Sequence, residues 1–246
     1  MALKATPEDQ ALLLDLQALD TKLSQLGHRA GTLPELMTIA ALSTERDTLR
    51  GTVGEQSGAW EDAQLELKRT EADVAVVEAR VTRDKERLQA SSSVKDVVAL
   101  EQELAALAKR QSDLEDIELA VMETVDERAV SLATGRADLE ALDARIAEAS
   151  VSRDEALAEL DVERRHAETN RAEIAGRLPA DLLALYEKQR ARYGVGASLL
   201  RGGVSSASGV ALNSSDMVTV RAAAPDDVLL CPDSSAILVR TNESGL

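Results

Sequence analysis

The sequence predicts a mainly α-helical protein: a long antiparallel coiled-coil hairpin followed by a small β-rich C-terminal domain. Three observations carry this. Apolar residues recur at alternating steps of four and three through most of the 246 residues, the repeat that keeps one stripe of a helix facing a partner helix. There is no Phe, one Trp and two Tyr. The aromatic area that fills an ordinary globular core is therefore missing, and a thin aliphatic seam is expected in its place. From about residue 171 the periodicity stops, and beyond 202 Gly, Ser and short apolar runs take over.

The first helix is expected over 7–28. Thr6 can cap it, Pro7 suits the first helical position, and Glu8 and Asp9 favour the positive end of the helix dipole. Leu12, Leu16, Leu19, Leu23 and Leu26 form its stripe, which would pack back on the hairpin or on a second chain. Gly27, Gly31 and Pro34 then mark a break. A second segment runs over 36–88. Its ladder from Ile39 to Leu88 is apolar at eleven of fifteen positions, and the exceptions Arg46, Gln56, Thr70 and Asp84 fix register at a cost in stability.

Residues 90–96 form a Ser-rich tip, and a third segment carries the same ladder from Val97 to Leu160 and on to about residue 170. Two heptad segments joined by one short polar tip read most economically as an antiparallel hairpin. Residues 1–177 are thus one helical domain, a rod whose longer arm reaches on the order of 100 Å at 1.5 Å per residue. Residues 178–201 read as a short helix begun at Pro179 and a linker, with Gly194, Gly196, Gly202 and Gly203 as joints. Residues 202–246 form the last domain. Short strands are expected at 210–212, 227–230 and 236–240, with a helical turn over 213–220. A domain of that size needs a metal, a disulfide or a neighbour to supplement its core.

The formal net charge of −16 argues against bulk attraction to nucleic acid or to an anionic membrane. One cysteine excludes an intramolecular disulfide and fits a reducing compartment. No stretch has the apolar length of a signal peptide or a membrane span, so a cytoplasmic address and no membrane partner are expected. His28 and His166 stand apart from any Cys, Asp or Glu cluster at metal spacing, and a two-helix rod offers no deep cleft for paired carboxylates. No enzyme activity is expected.

The tail holds the one pattern with chemical meaning. Were Ser205, Ser208 and Ser234 cysteines, they and Cys231 would read Cys-x2-Cys, spacer, Cys-x2-Cys, the ligand spacing of a four-thiolate zinc ribbon. Together with Leu178–Lys188, Arg192–Ala197, Val220–Val228 and Ile237–Leu246, this arrangement resembles a bacterial family of coiled-coil hairpin proteins ending in a four-cysteine zinc ribbon. The likeness covers nearly the whole chain and is strongest to actinobacterial members. The family is described as predicted nucleic-acid-binding proteins, and its zinc ligands fall on Ser205, Ser208, Cys231 and Ser234.

A serine hydroxyl stays protonated near neutral pH, whereas a thiolate forms readily beside a soft metal. The resemblance with three ligands replaced therefore implies a retained ribbon fold without zinc and no other cofactor. Val204, Val210, Leu212, Val228, Leu230, Ile237 and Val239 would form its small core, with Cys231 a relic ligand. Lys188, Arg190, Arg192 and Arg201 make the best basic surface, next to Tyr193, although pairing with Glu187 and Asp181 is the blander role. The expected function is a non-enzymatic adaptor that binds protein partners through the rod and its globular base. The alternative is binding of RNA or DNA through that base, and homo-oligomerisation through coiled-coil packing is a further expectation.

Overall fold

The sheet that ends the chain takes its neighbours from both ends of the sequence. In the computed structural model, which describes residues 3–246, five α-helices and four short strands follow one another: α1 (Pro7–Gly31), α2 (Pro34–Ala90), α3 (Val94–Arg177), α4 (Ala180–Tyr193), β1 (Ala197–Arg201), β2 (Val204–Ser205), α5 (Ser214–Ala222), β3 (Leu229–Leu230) and β4 (Ile237–Val239), with a closing 3₁₀ turn at Asn242–Ser244. The chain divides into two units. One is Glu35–Val151; the other combines the residues up to Pro34 with Ser152–Leu246. One boundary between the units thus falls inside α3.

Within Glu35–Val151, the two helices form the hairpin that the heptads predict. Every ladder position of α2 from Ile39 to Leu88 is buried or half-buried, because a 3.5-residue repeat keeps each in the seam. The α3 ladder agrees except at Arg128, which is exposed and donates from Nη1 to the Ala59 carbonyl at 2.9 Å. Gln56 Nε2 donates to Ser131 Oγ at 3.0 Å. Opposite it, a Cβ on Gly135 would lie 2.5 Å from Gln56 Oε1 and 3.0 Å from Val53 Cγ2, so a larger residue there would push the Gln56 amide aside.

Asp84 occupies a seam position at 2 % exposure. Its Oδ1 accepts from Arg87 at 3.2 Å, while Oδ2 has no hydrogen-bond partner. Because Arg80 and Arg87 are solvent-exposed, removing the carboxylate leaves no buried charge behind. Replacing a buried ionic group with an apolar one of similar size is often stabilising. Asp84→Leu is therefore expected to stabilise the hairpin by about 1–2 kcal/mol. Chemical denaturation is the check, and an unchanged or lowered midpoint would refute the expectation.

The break after α1 is shorter than the sequence predicts. The helix runs through Gly27 to Gly31, and only Thr32 and Leu33 separate it from α2. Glycine inside a helix costs about 1 kcal/mol relative to Ala, which tertiary packing overrides. Thr6 caps α1 as expected, its Oγ1 accepting from the Asp9 N–H at 3.1 Å.

In the terminal unit the strand order is β2-β1-β4-β3. β1 runs antiparallel to β2 and parallel to β4, and β3 runs antiparallel to β4. Alternation along β4 makes two cores. Ile237 and Val239 join Leu13 and Leu16 of α1, Leu182 and Tyr186 of α4, and Ala197. Leu238 joins Leu200, Leu212, Val220 and Cys231. Residues 3–5 add a further antiparallel bridge, with Ala5 N donating to Asp226 O at 2.9 Å and Val228 N to Leu3 O at 3.0 Å.

Three expectations for the tail are corrected. Residues 197–201, read as linker, form β1, one of the two inner strands. Residues 210–212 make only an isolated bridge, Ala211 to Val204. Val204, Val210 and Leu230 are exposed rather than core. The reason is shared: with strands this short, helices rather than partner strands supply the burial, and side chains away from those helices stay in water.

Candidate functional site

Two turns of the terminal unit have the same construction. In the first, Ser205 N donates to Val210 O at 3.2 Å, Gly209 N donates to Ser205 O at 2.8 Å, and Val210 N donates to Ser208 Oγ at 3.3 Å. In the second, Cys231 N donates to Ala236 O at 2.8 Å, Ser235 N to Cys231 O at 2.9 Å, and Ala236 N to Ser234 Oγ at 3.4 Å. The fifth residue of each has a left-handed backbone, Gly209 at φ 68° and Ser235 at φ 58°. Ser235 is the one non-glycine residue in that region among those described, a conformation costing about 1–2 kcal/mol. Such repetition of backbone, hydrogen bond and side-chain acceptor places residues 205 and 208 in the same local roles as 231 and 234.

The side chains at these positions converge in part. Ser205 is fully buried, with Oγ 2.7 Å from Ser198 Oγ, and Cys231 is 1 % exposed. Burial works against the Cys231 thiolate. Hydrogen bonding from the Ser205 and Ser234 hydroxyls and from the backbone N–H groups of Ser234 and Asp233 outweighs it, so the thiol lies below the ordinary cysteine range. As a zinc site the set does not fit. It offers one thiolate and three alcohols, and zinc holds structural sites through Cys and His nitrogen or sulfur. Among the described residues no cluster of three or more His, Cys, Asp or Glu is placed to hold a metal ion.

The basic residues of α4 and β1 divide. Arg190 stacks its donors on Glu187 Oε2 at 2.8 and 3.0 Å and reaches Asp20 Oδ1 at 3.4 Å. Arg201 pairs with Glu243 at 3.0 Å. Lys188 is exposed, and Arg192 is exposed with its guanidinium 5.2 Å from the Tyr193 ring centroid. The anticipated partner Glu187 is present, and Asp20 takes the place expected for Asp181.

Asp20 is the residue sequence reasoning missed. It lies at 8 % exposure in α1 and accepts from Arg171 Nε at 2.6 Å, from Arg171 Nη2 at 3.2 Å and from Tyr186 Oη at 2.7 Å. Arg171 also reaches Glu187 Oε1 at 2.5 Å. Beside it Gln17 Oε1 accepts from Gly196 N at 2.7 Å. Burial raises the Glu187 carboxyl, but hydrogen bonds from Arg171 and Arg190 overcome this and hold it below the usual carboxylate range. No sequence signal marks Asp20, since one acid in a leucine-rich helix ordinarily faces water.

Burial, then the hydrogen bond to Asp20, push the Tyr186 hydroxyl far above the ordinary tyrosine value. The folded form therefore holds its proton after the unfolded chain has lost it. Stability from this group is complete below about pH 10 and falls above it by about 1.4 kcal/mol per pH unit. Alkaline denaturation should show this slope in the wild type and a shallower one in Tyr186→Phe; equal slopes would contradict it.

The fold and the residues around it define a coiled-coil hairpin protein with a small terminal sheet domain. A family model for the CT398-like coiled coil hairpin domain matches residues 16–194, and the chain belongs to that family. An uncharacterized protein of Mycobacterium tuberculosis (strain H37Rv) is 35 % identical over 240 residues, covering 97 % of this chain and 98 % of that protein. A solved structure from Mycobacterium smegmatis superposes with a TM-score of 0.88 at 32 % identity, covering 97 % of this chain and all of the other. CT398 from Chlamydia trachomatis shares the fold with a TM-score of 0.68 at 18 % identity, over 95 % and 98 % of the two chains. No helix among the described residues is long and apolar enough to cross a membrane.

Proposed function

We propose that the protein is a non-enzymatic adaptor, binding other proteins along its hairpin and at the terminal unit. The observation that carries this is the hairpin itself. Its apolar seam is closed by its own two helices, and what remains outward is two long flanks of exposed side chains. That is a surface for docking, and coiled-coil families use such flanks to choose partners. Capture from native lysate with the tagged full-length protein, with and without nuclease, is the test. Partners retained after nuclease treatment support the reading; retention of RNA with no stoichiometric protein overturns it.

Residues 202–246 of the terminal unit are, on this reading, a zinc ribbon that has kept its two turns and lost its metal. The matched construction at 205–210 and 231–236 supports the ancestry, and the single thiolate supports the loss. Elemental zinc measured on purified protein is expected well below one equivalent, and one equivalent would refute the loss. Nucleic-acid binding at this end has less in its favour, because Arg190 and Arg201 are already paired. An electrophoretic shift abolished by Lys188→Ala and Arg192→Ala would reinstate it.

A further inference from the structure

The middle of the hairpin combines dense acidic charge with exposed apolar side chains. Between residues 113 and 127, α3 carries seven carboxylates and no Lys or Arg. The facing part of α2, residues 59–73, adds five against Lys68 and Arg69. These stretches lie opposite each other, since Arg128 reaches Ala59 at one end and Arg80 pairs with Glu103 beyond the other. They account for most of the chain's net −16. None of these twelve carboxylates makes an ion pair among the described residues, whereas carboxylates toward the tip and in the terminal unit do.

In the same stretch Ile117, Leu119, Met122 and Leu65 are about half exposed, Leu119 at 60 %. Leu119 and Met122 belong to a second four–three stripe on α3. Each sits one residue after a seam position, and the stripe continues through Asp126 to Ala129 and Ala133. A helix that already fills one seam and sets Leu119 and Met122 beside it, with Ala129 and Ala133 beyond Asp126, has room for a second packing edge there.

We infer that this flank of α3 is a docking edge for a basic amphipathic helix of a partner protein. The partner's apolar side would lie on Leu119 and Met122, and its Lys or Arg residues would meet Glu115, Glu123 and Asp126. Unpaired carboxylates at this density repel one another, and a cationic partner relieves that repulsion while steering association. The same field repels nucleic-acid phosphates and anionic lipid. A second copy docked about a twofold axis would bring the same surface against itself, acid against acid. The assignment rests on the adaptor reading and specifies where, and for what chemistry, that reading operates.

Fluorescence anisotropy on the full-length protein tests it with three labelled 20-residue peptides. One is amphipathic with Lys and Leu faces, one has Glu for Lys, and one has Ser for Leu. The Lys–Leu peptide should bind at least about tenfold tighter than either other, and raising salt should weaken it. A Glu115→Lys, Glu123→Lys, Asp126→Lys variant and a Leu119→Ser, Met122→Ser variant should each weaken it by about tenfold or more. All five positions are exposed, so unchanged circular dichroism is expected of both.

Equal binding of the Glu peptide, equal binding of the leucine-free peptide, or indifference to both variants would overturn the assignment. So would dimerisation in analytical ultracentrifugation that the Leu119→Ser, Met122→Ser variant abolishes, because the edge would then serve a second copy. A lysate partner held equally by wild type and variants defeats this edge and leaves the adaptor reading standing. No partner with either defeats the adaptor reading.

Discussion

Asp20→Ala should cost the terminal unit about 3–5 kcal/mol. The carboxylate is the shared acceptor of the Arg171 guanidinium and the Tyr186 hydroxyl, all on side chains that are mostly or wholly buried. Its removal takes the nearest acceptor from two donors, leaving the Tyr186 hydroxyl only Gln17 Oε1 at 3.3 Å, and a buried donor stripped of a partner costs much of its desolvation energy. Glu187 stays beside Arg171 and limits the damage, which places the lower end of that range as the central expectation. Asp20→Asn keeps an acceptor for Tyr186 while removing the charge, and should cost roughly half as much. Urea titrations of the three proteins decide the matter. A loss under about 1 kcal/mol for Asp20→Ala would mean that the network behaves as an exposed ion pair does.

Gly196→Val should be comparably severe. A Cβ at that position would lie 2.5 Å from Tyr186 Cε2 and 2.6 Å from Cδ2, closer than carbon atoms approach. The ring cannot swing aside, because Tyr186 is fully buried between its own helix, α1 and the sheet and is tethered through its hydroxyl. Nor can the backbone retreat without breaking the 2.7 Å bond from Gly196 N to Gln17. Overpacking of this kind costs about 1–3 kcal/mol, and more where the surroundings are fixed. Shrinking the partner should restore part of the loss, so the Gly196→Val, Tyr186→Leu pair is expected to be less destabilised than the two single costs summed. Strict additivity would show that the clash is not the cause.

The contrast between hairpin and terminal unit shows what a sequence can display. Heptad positions are defined by neighbours three and four residues away, so Leu42, Leu100, Leu114 and Leu132 declare their burial locally. The tail's turns are local as well, and the repeated x2 spacing at 205–208 and 231–234 is readable for the same reason. β1 was hidden because its partner β4 pairs with it forty residues later, and nothing within Ala197–Arg201 reports that distance. The bridge at residues 3–5 was hidden more deeply, its partners lying at 226–228. Asp20 and Gln17 look like any polar residues of a surface helix until α3, α4 and the sheet converge on them.

The parallel pairing of β1 with β4, and the bridge from residues 3–5 to 226–228, bear on the order of synthesis. A ribosome releases the hairpin's two helices while the last strand is still unmade, and local helical contacts form fast. The terminal unit instead waits for residue 239, because β4 supplies wall to both of its cores. Until then Leu13, Leu16 and Tyr186 lack their covering strand, and the first helix emerges long before the partner that completes it. In this chain Ala5, Leu13 and Leu16 are made more than two hundred residues before the strand that completes their packing.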